Sequence, residues 1–376
     1  MWRVLVFICV AVIISLSCET VLDDWYDEAP PLRPLEMKYV TGDIYLPQGA
    51  YKLVPCGGSL FAVIAEPAKI HVYKYKGDDK NPGWYAYPDN TGGTDIAFDA
   101  VCYNNDIIYG YYTTGKYNFI KSTPESAAPI GTISASPSAP EMKLAVYNGS
   151  LYAYYSITPG GQISIFNASK FDGTSQWSLI GDEIKGIHEN ETIARSKLRL
   201  AADTSGIYAL YTQIGNPETL NIRRYSGVWD DVMDNGSPTI SKLNIYSSLI
   251  DSSIAVKNGT PFVAINEFDS TTYYNYISAK QILPDRSEWM QSPLYHSSLN
   301  PLQILFINGN LTVIGKDQYS NLLGRTFSES TNRWEPLIGP EVYLYLSAIN
   351  FHATVFNNKL YIIYNDNTYG YIVVFW

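Results

Sequence analysis

Asn308-Gly309-Asn310-Leu311-Thr312-Val313-Ile314-Gly315 joins a turn dipeptide directly to a short apolar run. Asn and Gly tolerate the positive φ that a two-residue hairpin turn requires. A short apolar run bounded by turn residues, with no 3.6-residue spacing, reads as a strand buried on both faces. With the apolar strand that precedes the turn, the unit is strand, tight turn, strand.

The unit recurs along the chain. Its turns are Gly57-Gly58, Asn104-Asn105, Asn148-Gly149, Ser205-Gly206, Asn258-Gly259, Asn308-Gly309 and Asn357-Asn358. The strands that follow are Leu60–Ile64, Ile107–Tyr111, Leu151–Tyr155, Ile207–Tyr211, Pro261–Ile265, Leu311–Gly315 and Leu360–Tyr364. The second turn residues, at 58, 105, 149, 206, 259, 309 and 358, are 44 to 57 residues apart. A four-stranded propeller blade takes roughly 40–50 residues. Helical solenoids share that period but need helical spacing, which these units lack. The predicted fold is all-β: a seven-bladed β-propeller of four-stranded antiparallel blades spanning 38–376.

Composition agrees. Of 376 residues, 32 are Tyr and only 16% are charged, which suits pleated, buried strands rather than disorder. A late Trp marks most units: Trp84, Trp177, Trp229, Trp289 and Trp334. A bulky ring at an equivalent place in each blade is expected to wedge between blades. The second unit lacks it, and its Ser/Pro/Ala-rich stretch Lys121 to Pro140 reads as a loop with a degenerate outer strand. The seventh unit has only three strands before the chain ends. The segment Lys38 to Leu46 is expected to supply its outer strand, because closure removes exposed sheet edges.

Two stretches resemble kelch-type repeats. His352-Ala353-Thr354-Val355-Phe356-Asn357-Asn358-Lys359-Leu360-Tyr361-Ile362-Ile363 is similar to the first two strands of a kelch unit. Asn308 to Leu337 follows the kelch spacing from glycines to the late Trp334. The resemblance implies a propeller and a structural role for His352. The Gly-Gly that closes a kelch second strand is half kept at Gly315-Lys316 and absent at Tyr364-Asn365, so no activity is implied.

The N-terminus reads as an address. Arg3, the apolar run Val4 to Ile14 and small residues form a secretory signal over 1–17, too short for a span of about 20 residues. Ser15-Leu16-Ser17-Cys18 resembles the bacterial lipoprotein processing box, which implies acylation at Cys18. A plain signal peptide or an uncleaved anchor are the alternatives. Residues 18–37, with Asp23, Asp24, Asp27, Glu28, Pro30, Pro31 and Pro34, read as an extended acidic tether. The expected location is the cell envelope or surface, with a lipid as the only membrane contact, or else secretion.

Two thiols remain, Cys56 and Cys102. Export permits a bridge, but their registers differ by one residue. That points them to opposite faces and favours two buried free thiols.

Candidate chemistry is sparse. His71, His188, His296 and His352 show no metal spacing, and structural roles are expected; neither metal nor cofactor is expected. No Gly-x-Ser-x-Gly elbow is present, and no catalytic residue is assigned. A net charge of −10 argues against nucleic acid. A sialidase-like glycosidase is the enzymatic alternative, with Arg195, Arg199, Arg223 and Arg224 as candidates. Its box fails in spacing at Ser169 to Trp177, and Arg223 and Arg224 are adjacent and face opposite ways on a strand. The expected function is non-enzymatic binding of a glycan or a protein by a monomeric domain, with a scaffold role as a further alternative. Candidate recognition loops are Gly181 to Arg195, Thr212 to Thr219 and Asp269 to Tyr276.

Overall fold

The computed structural model describes residues 37–375, except 43, 45, 78–81, 92–96, 138–139, 158–164, 181–197, 214–218, 242–246, 296–298, 300, 318, 338–342, 349 and 367–368. Cys18 and the tether lie outside the described residues. Among the described residues no helix is long and apolar enough to cross a membrane.

The chain is a seven-bladed β-propeller. Blade 1 comprises Ala50–Cys56, Ser59–Glu66, Lys69–Tyr75 and Trp84–Ala86; blade 2, Asp99–Tyr103, Asp106–Thr113, Lys116–Ser122 and Ala127–Ser134. Blade 3 comprises Met142–Tyr147, Ser150–Ile157, Ile165–Phe171 and Trp177–Leu179; blade 4, Arg199–Asp203, Gly206–Gln213, Thr219–Tyr225 and Trp229–Asp231. Blade 5 comprises Ser247–Lys257, Thr260–Asp269, Tyr274–Gln281 and Glu288–Tyr295; blade 6, Leu302–Ile307, Asn310–Lys316, Asn321–Ser328 and Arg333–Pro336. In blade 7 the strands Asn350–Phe356, Lys359–Asn365 and Gly370–Phe375 are completed by Met37–Tyr39. First strands touch the first strands of both neighbouring blades in an unbroken cycle, so they line the central channel.

The closing strand is where the sequence places it. Met37 pairs with Phe375 and Tyr39 with Val373, and the Val40 N–H donates to Ile372 O at 2.8 Å. Val40, Ile44 and Leu46 are buried among Leu53, Leu60, Ile363 and Ile372, joining blades 7 and 1. N- and C-terminal sequence thus share one sheet.

Six of the seven tight turns have both residues at positive φ, as at Asn308 (50°) and Gly309 (84°). The blade 4 turn differs from expectation by one residue. Asp203 pairs with Gly206, so the turn is Thr204-Ser205. Neither residue takes a positive φ; the Asp203 carboxylate holds the turn instead, accepting from the Ser205 N–H at 2.8 Å.

Each late Trp packs on the preceding blade. Trp84 Nε1 donates to Val40 O at 2.8 Å and Trp334 Nε1 to Met290 O at 3.1 Å. Trp177 lies 4.1 Å from the Phe119 ring, and Trp229 meets Tyr154 edge-on at 5.7 Å. Trp289 packs in the cluster that holds Tyr208 and Leu210 of blade 4.

Blade 2 corrects the loop reading of Lys121 to Pro140. Its outer strand is complete, with a bulge between Pro129 and Gly131. Gly131, at φ 136°, makes room for blade 3: a Cβ there would sit 2.5 Å from Ser175 O and 3.0 Å from Trp177 Nε1. Pro and Gly in that stretch mark a bulge that receives the neighbouring Trp, not a break.

The cysteine expectation is also corrected. Cys56 and Cys102 form a disulfide, with Cα atoms 5.2 Å apart. Their one-residue difference in register is real: Cys56 faces Ser59 and Cys102 faces Ile107 in their hairpins. Within one sheet that offset would separate them. Between neighbouring blades the front of one sheet meets the back of the next, so residues of opposite facing are the ones that can touch.

Candidate functional site

One position in the repeat is polar in all seven blades. Five residues before each turn stand Lys52, Asp99, Lys143, Arg199, Ser253, Gln303 and His352. Each occupies the same rung of its hairpin: Lys52 pairs with Val63, Asp99 with Gly110, Lys143 with Tyr154 and Arg199 with Leu210. Ser253 pairs with Ala264, Gln303 with Ile314 and His352 with Ile363. Because the first strands line the channel, the seven side chains form a ring at one level. Adjoining cavities of about 300 Å³ and 410 Å³ share Lys52 and Gln303; the first is walled by Lys143, Arg199 and Ser253, the second by His352. Such volumes lie at the small end of ligand sites, which run from roughly 300 to 1,000 Å³.

Four ring members are stitches. Asp99 Oδ2 accepts the Leu144 N–H at 2.8 Å, and Ser253 Oγ accepts the Ile304 N–H at 3.1 Å. Gln303 Oε1 accepts the Ala353 N–H at 2.9 Å, and His352 Nδ1 accepts the Leu53 N–H at 3.1 Å. Each takes the amide one residue past the next blade's ring member, satisfying a buried donor that would otherwise be costly.

Lysine and arginine have no acceptor atom, so Lys52, Lys143 and Arg199 cannot make this stitch. Other groups hold their seams. Between blades 1 and 2, Lys52 Nζ meets Asp99 Oδ1 at 2.7 Å, and the disulfide bridges the same seam further along the strands. Between blades 3 and 4, Glu141 Oε1 accepts the Leu198 N–H at 2.7 Å. Between blades 4 and 5, Arg199 donates to Asp251 Oδ1 at 3.0 Å and to Ser252 O at 3.2 Å, and Asp203 Oδ2 accepts the Gly259 N–H at 2.7 Å. Asp251 is doubly used, since its Oδ2 accepts the Leu302 N–H at 2.9 Å. Lys143 is different: among the described residues no group hydrogen-bonds its ammonium or forms an ion pair with it.

The electrostatics follow from this crowding. Burial alone would raise the Asp99 carboxyl, but Lys52, Lys143 and the Leu144 amide together hold it below the usual carboxylate range. Burial lowers the Lys143 ammonium pKa; Asp99 and Glu141 oppose the shift, and Lys52 and Arg199 add to it. Burial also pushes His352 well below the ordinary histidine value, with Lys52 and Lys143 adding and Asp99 opposing, so its imidazole is neutral at neutral pH. Among the described residues the ring's three cations, Lys52, Lys143 and Arg199, therefore face the carboxylates of Asp99, Asp251 and Glu141, each already engaged by other groups, inside a protein of net charge −10.

The other sequence candidates lie elsewhere. His71 is a bridge in blade 1, with Nδ1 2.9 Å from Asp89 and Nε2 2.7 Å from Glu66. Arg223 and Arg224 pair with Asp231 and Asp230 of the adjacent outer strand, away from the channel, so no arginine cluster forms with Arg199. In the Ser169 to Trp177 box, Asp172 caps its own turn, accepting from Thr174 N–H at 2.8 Å and Gln176 N–H at 3.0 Å. Those bonds lower its carboxyl to about 2. His188, His296, Arg195 and the loop Gly181 to Arg195 lie outside the described residues, as does most of the 212–219 tip. Among the described residues no three His, Cys, Asp or Glu side chains gather as metal ligands.

No family model matches the sequence, and no curated protein matches it. Solved structures share the fold at low identity. The WD40 domain of Toxoplasma gondii coronin is 10% identical with TM-score 0.53, covering 93% of this chain and 87% of that one. A polysaccharide lyase, an ulvan lyase bound to -[GlcA(1-4)Rha3S]-, is 9% identical with TM-score 0.55, covering 92% and 95%. Puromycin hydrolase is 10% identical with TM-score 0.53, and the match spans 54% of that chain. The propeller is thus shared with a WD40 domain and with lyase and hydrolase structures, and likeness at this level carries the fold alone.

Proposed function

We propose that the polar ring is a receptor for the carboxylate or sulfate of an acidic saccharide. The observation that carries the reading is Lys143: a cation facing the channel, unpaired among the described residues, between two further cations. Lys143 is half-buried; a half-buried charge without a partner destabilises a fold, and violations of that kind concentrate at functional sites. An anion placed between Lys143, Lys52 and Arg199 would supply the missing partner in charge-assisted hydrogen bonds.

A second reading, in which the ring also cleaves the chain, is favoured by the lowered pKa of Lys143. A lysine poised this way suits a general base. In an elimination it would take the proton beside the uronate carboxylate while Arg199 or Lys52 neutralises that carboxylate. The carbon–oxygen bond to the next sugar breaks, a carbon–carbon double bond forms, and the leaving oxygen takes up a proton. Hydrolysis by paired carboxylates has less support, because Asp99 and Asp251 are both engaged and Asp99 is held ionised.

Incubation with polygalacturonate and a sulfated galactan separates the readings. Co-sedimentation without change in the polymer supports binding alone, and ultraviolet absorbance from an unsaturated product supports elimination. Neither signal, with polymer in excess, sinks both. The Cys56–Cys102 bridge supports export to an oxidising compartment. A lipid on Cys18 is proposed on the processing-box resemblance alone.

A further inference from the structure

Three tyrosines stand exposed at one topological place. Tyr273, Tyr319 and Tyr369 lie in the turns between second and third strands of blades 5, 6 and 7, with 79%, 74% and 65% of their surface exposed. Each turn opens with an aspartate that fixes it. Asp269 accepts the Thr271 N–H at 2.8 Å and the Thr272 hydroxyl at 2.9 Å, while the Tyr273 N–H donates to Asp269 O at 2.8 Å. Asp317 Oδ1 accepts the Tyr319 and Asn321 N–H groups, both at 2.8 Å. Asp366 Oδ1 accepts the Tyr369 N–H at 2.9 Å. The bonds of Asp269 and Asp317 to the amides two residues on are Asx turns, and in each blade the aspartate ties down backbone next to or at the tyrosine. Tyr273 itself sits at φ 60°, a conformation that bulky residues rarely adopt and that marks functional sites when the surroundings impose it. In blades 1 and 2 the corresponding turns are Pro67-Ala68 and Thr114-Gly115, with no aromatic.

The three turns share a face with the channel cations. Asp269 pairs with Ser247, Lys316 N–H donates to Pro301 O, and Asn365 pairs with Asn350. All three turns therefore lie at the end where first strands begin. Arg199 is the first residue of its strand, Lys143 the second and Lys52 the third.

We propose that Tyr273, Tyr319 and Tyr369 form a stacking platform for a saccharide chain that crosses blades 5 to 7 and places an acidic sugar in the channel mouth. The inference rests on the acidic-saccharide reading of the ring and extends it from one residue to a polymer. Exposed phenol rings on fixed backbone offer flat apolar faces at small entropic cost, matching the faces of pyranose rings. The Lys143 ammonium at the same end, which no described group hydrogen-bonds while Asp99, Asp251 and Glu141 are engaged elsewhere, favours an acidic chain over a neutral one.

Native affinity electrophoresis of the full chain tests this, in gels carrying polygalacturonate, sulfated galactan, xylan or dextran. The variants are the triple substitution Tyr273→Ser, Tyr319→Ser, Tyr369→Ser, whose positions are exposed, and Lys143→Met. The expected result is retardation by acidic polymers that weakens about tenfold or more in the triple variant. Lys143→Met is expected to lose the preference for acidic polymers while keeping the dependence on the tyrosines. Retardation of the triple variant equal to wild type overturns the platform, and so does the absence of retardation by all four polymers. Retardation only by neutral polymers, lost in the triple variant, supports the platform and overturns the acidic reading of the ring.

Discussion

His352 Nδ1 accepts the Leu53 N–H at 3.1 Å across the seam where blade 7 meets blade 1. The bond requires a neutral imidazole protonated on Nε2, and burial holds His352 neutral well below the ordinary histidine pKa. Above about pH 6.5 neither folded nor unfolded histidine carries the proton, and stability is unaffected. As pH falls below 6.5 the unfolded chain takes up the proton and the folded chain does not, so stability falls. The expected loss approaches about 1.4 kcal/mol per pH unit. Denaturant melts between pH 7 and 5 on wild type and His352→Asn check it: the variant keeps a polar acceptor, does not titrate, and should show a flatter profile. Parallel profiles would show that His352 is not the titrating group.

Reduction of Cys56–Cys102 should destabilise the propeller. The bridge spans 46 residues, and the chain-entropy model gives about 4 kcal/mol for a loop of that size. Cys56→Ala with Cys102→Ala, compared with the oxidised protein by calorimetry, should melt well below it. Equal melts would mean that the bridge does not limit stability.

Lys143 separates structural from functional roles. A lysine kept for stability would destabilise the fold when removed. Here burial works against its charged form, so Lys143→Met should raise the thermal midpoint by a few degrees while weakening retention of acidic saccharide. A lowered midpoint would assign Lys143 to the fold.

The closing strand carries the ring's mechanical continuity. Removing residues 1–46 deletes the Met37–Tyr39 strand and the buried Val40, Ile44 and Leu46. It exposes the Gly370–Phe375 edge and should lower the midpoint sharply or cause aggregation. An unchanged thermal melt would mean that blade 7 closes without this strand.

Much of this architecture is legible in local chemistry. Asn and Gly at six turns report their own positive φ, and the late Trp residues report the seams they fill. What fails is what depends on neighbouring blades. Cys56 and Cys102 read as facing apart because the rule for one sheet does not apply between two sheets packed front to back. The stretch Lys121 to Pro140 reads as a loop because the Trp177 that its Gly131 makes room for comes from the next repeat. The site is hidden differently. Lys52, Lys143 and Arg199 belong to three strands with no shared motif, and each looks like a stray charge in an apolar run. Aligning the repeats on their turns exposes most of the signal: the fifth residue before six of the seven turns is polar, and Arg199 joins them only once the structure shifts the blade 4 turn from Ser205-Gly206 to Thr204-Ser205. His352 was visible only through its kelch-like setting, and its partner amide could not be read from any local pattern.

The most direct test of the channel reading is a calorimetric titration with an oligogalacturonate and with its methyl ester, which differ chiefly in charge. The expected result is saturable binding of the acid, little or none of the ester, and loss of the acid's binding in Lys143→Met. Equal binding of acid and ester, or binding of the acid unchanged in Lys143→Met, would contradict the assignment of the polar ring as an anion receptor.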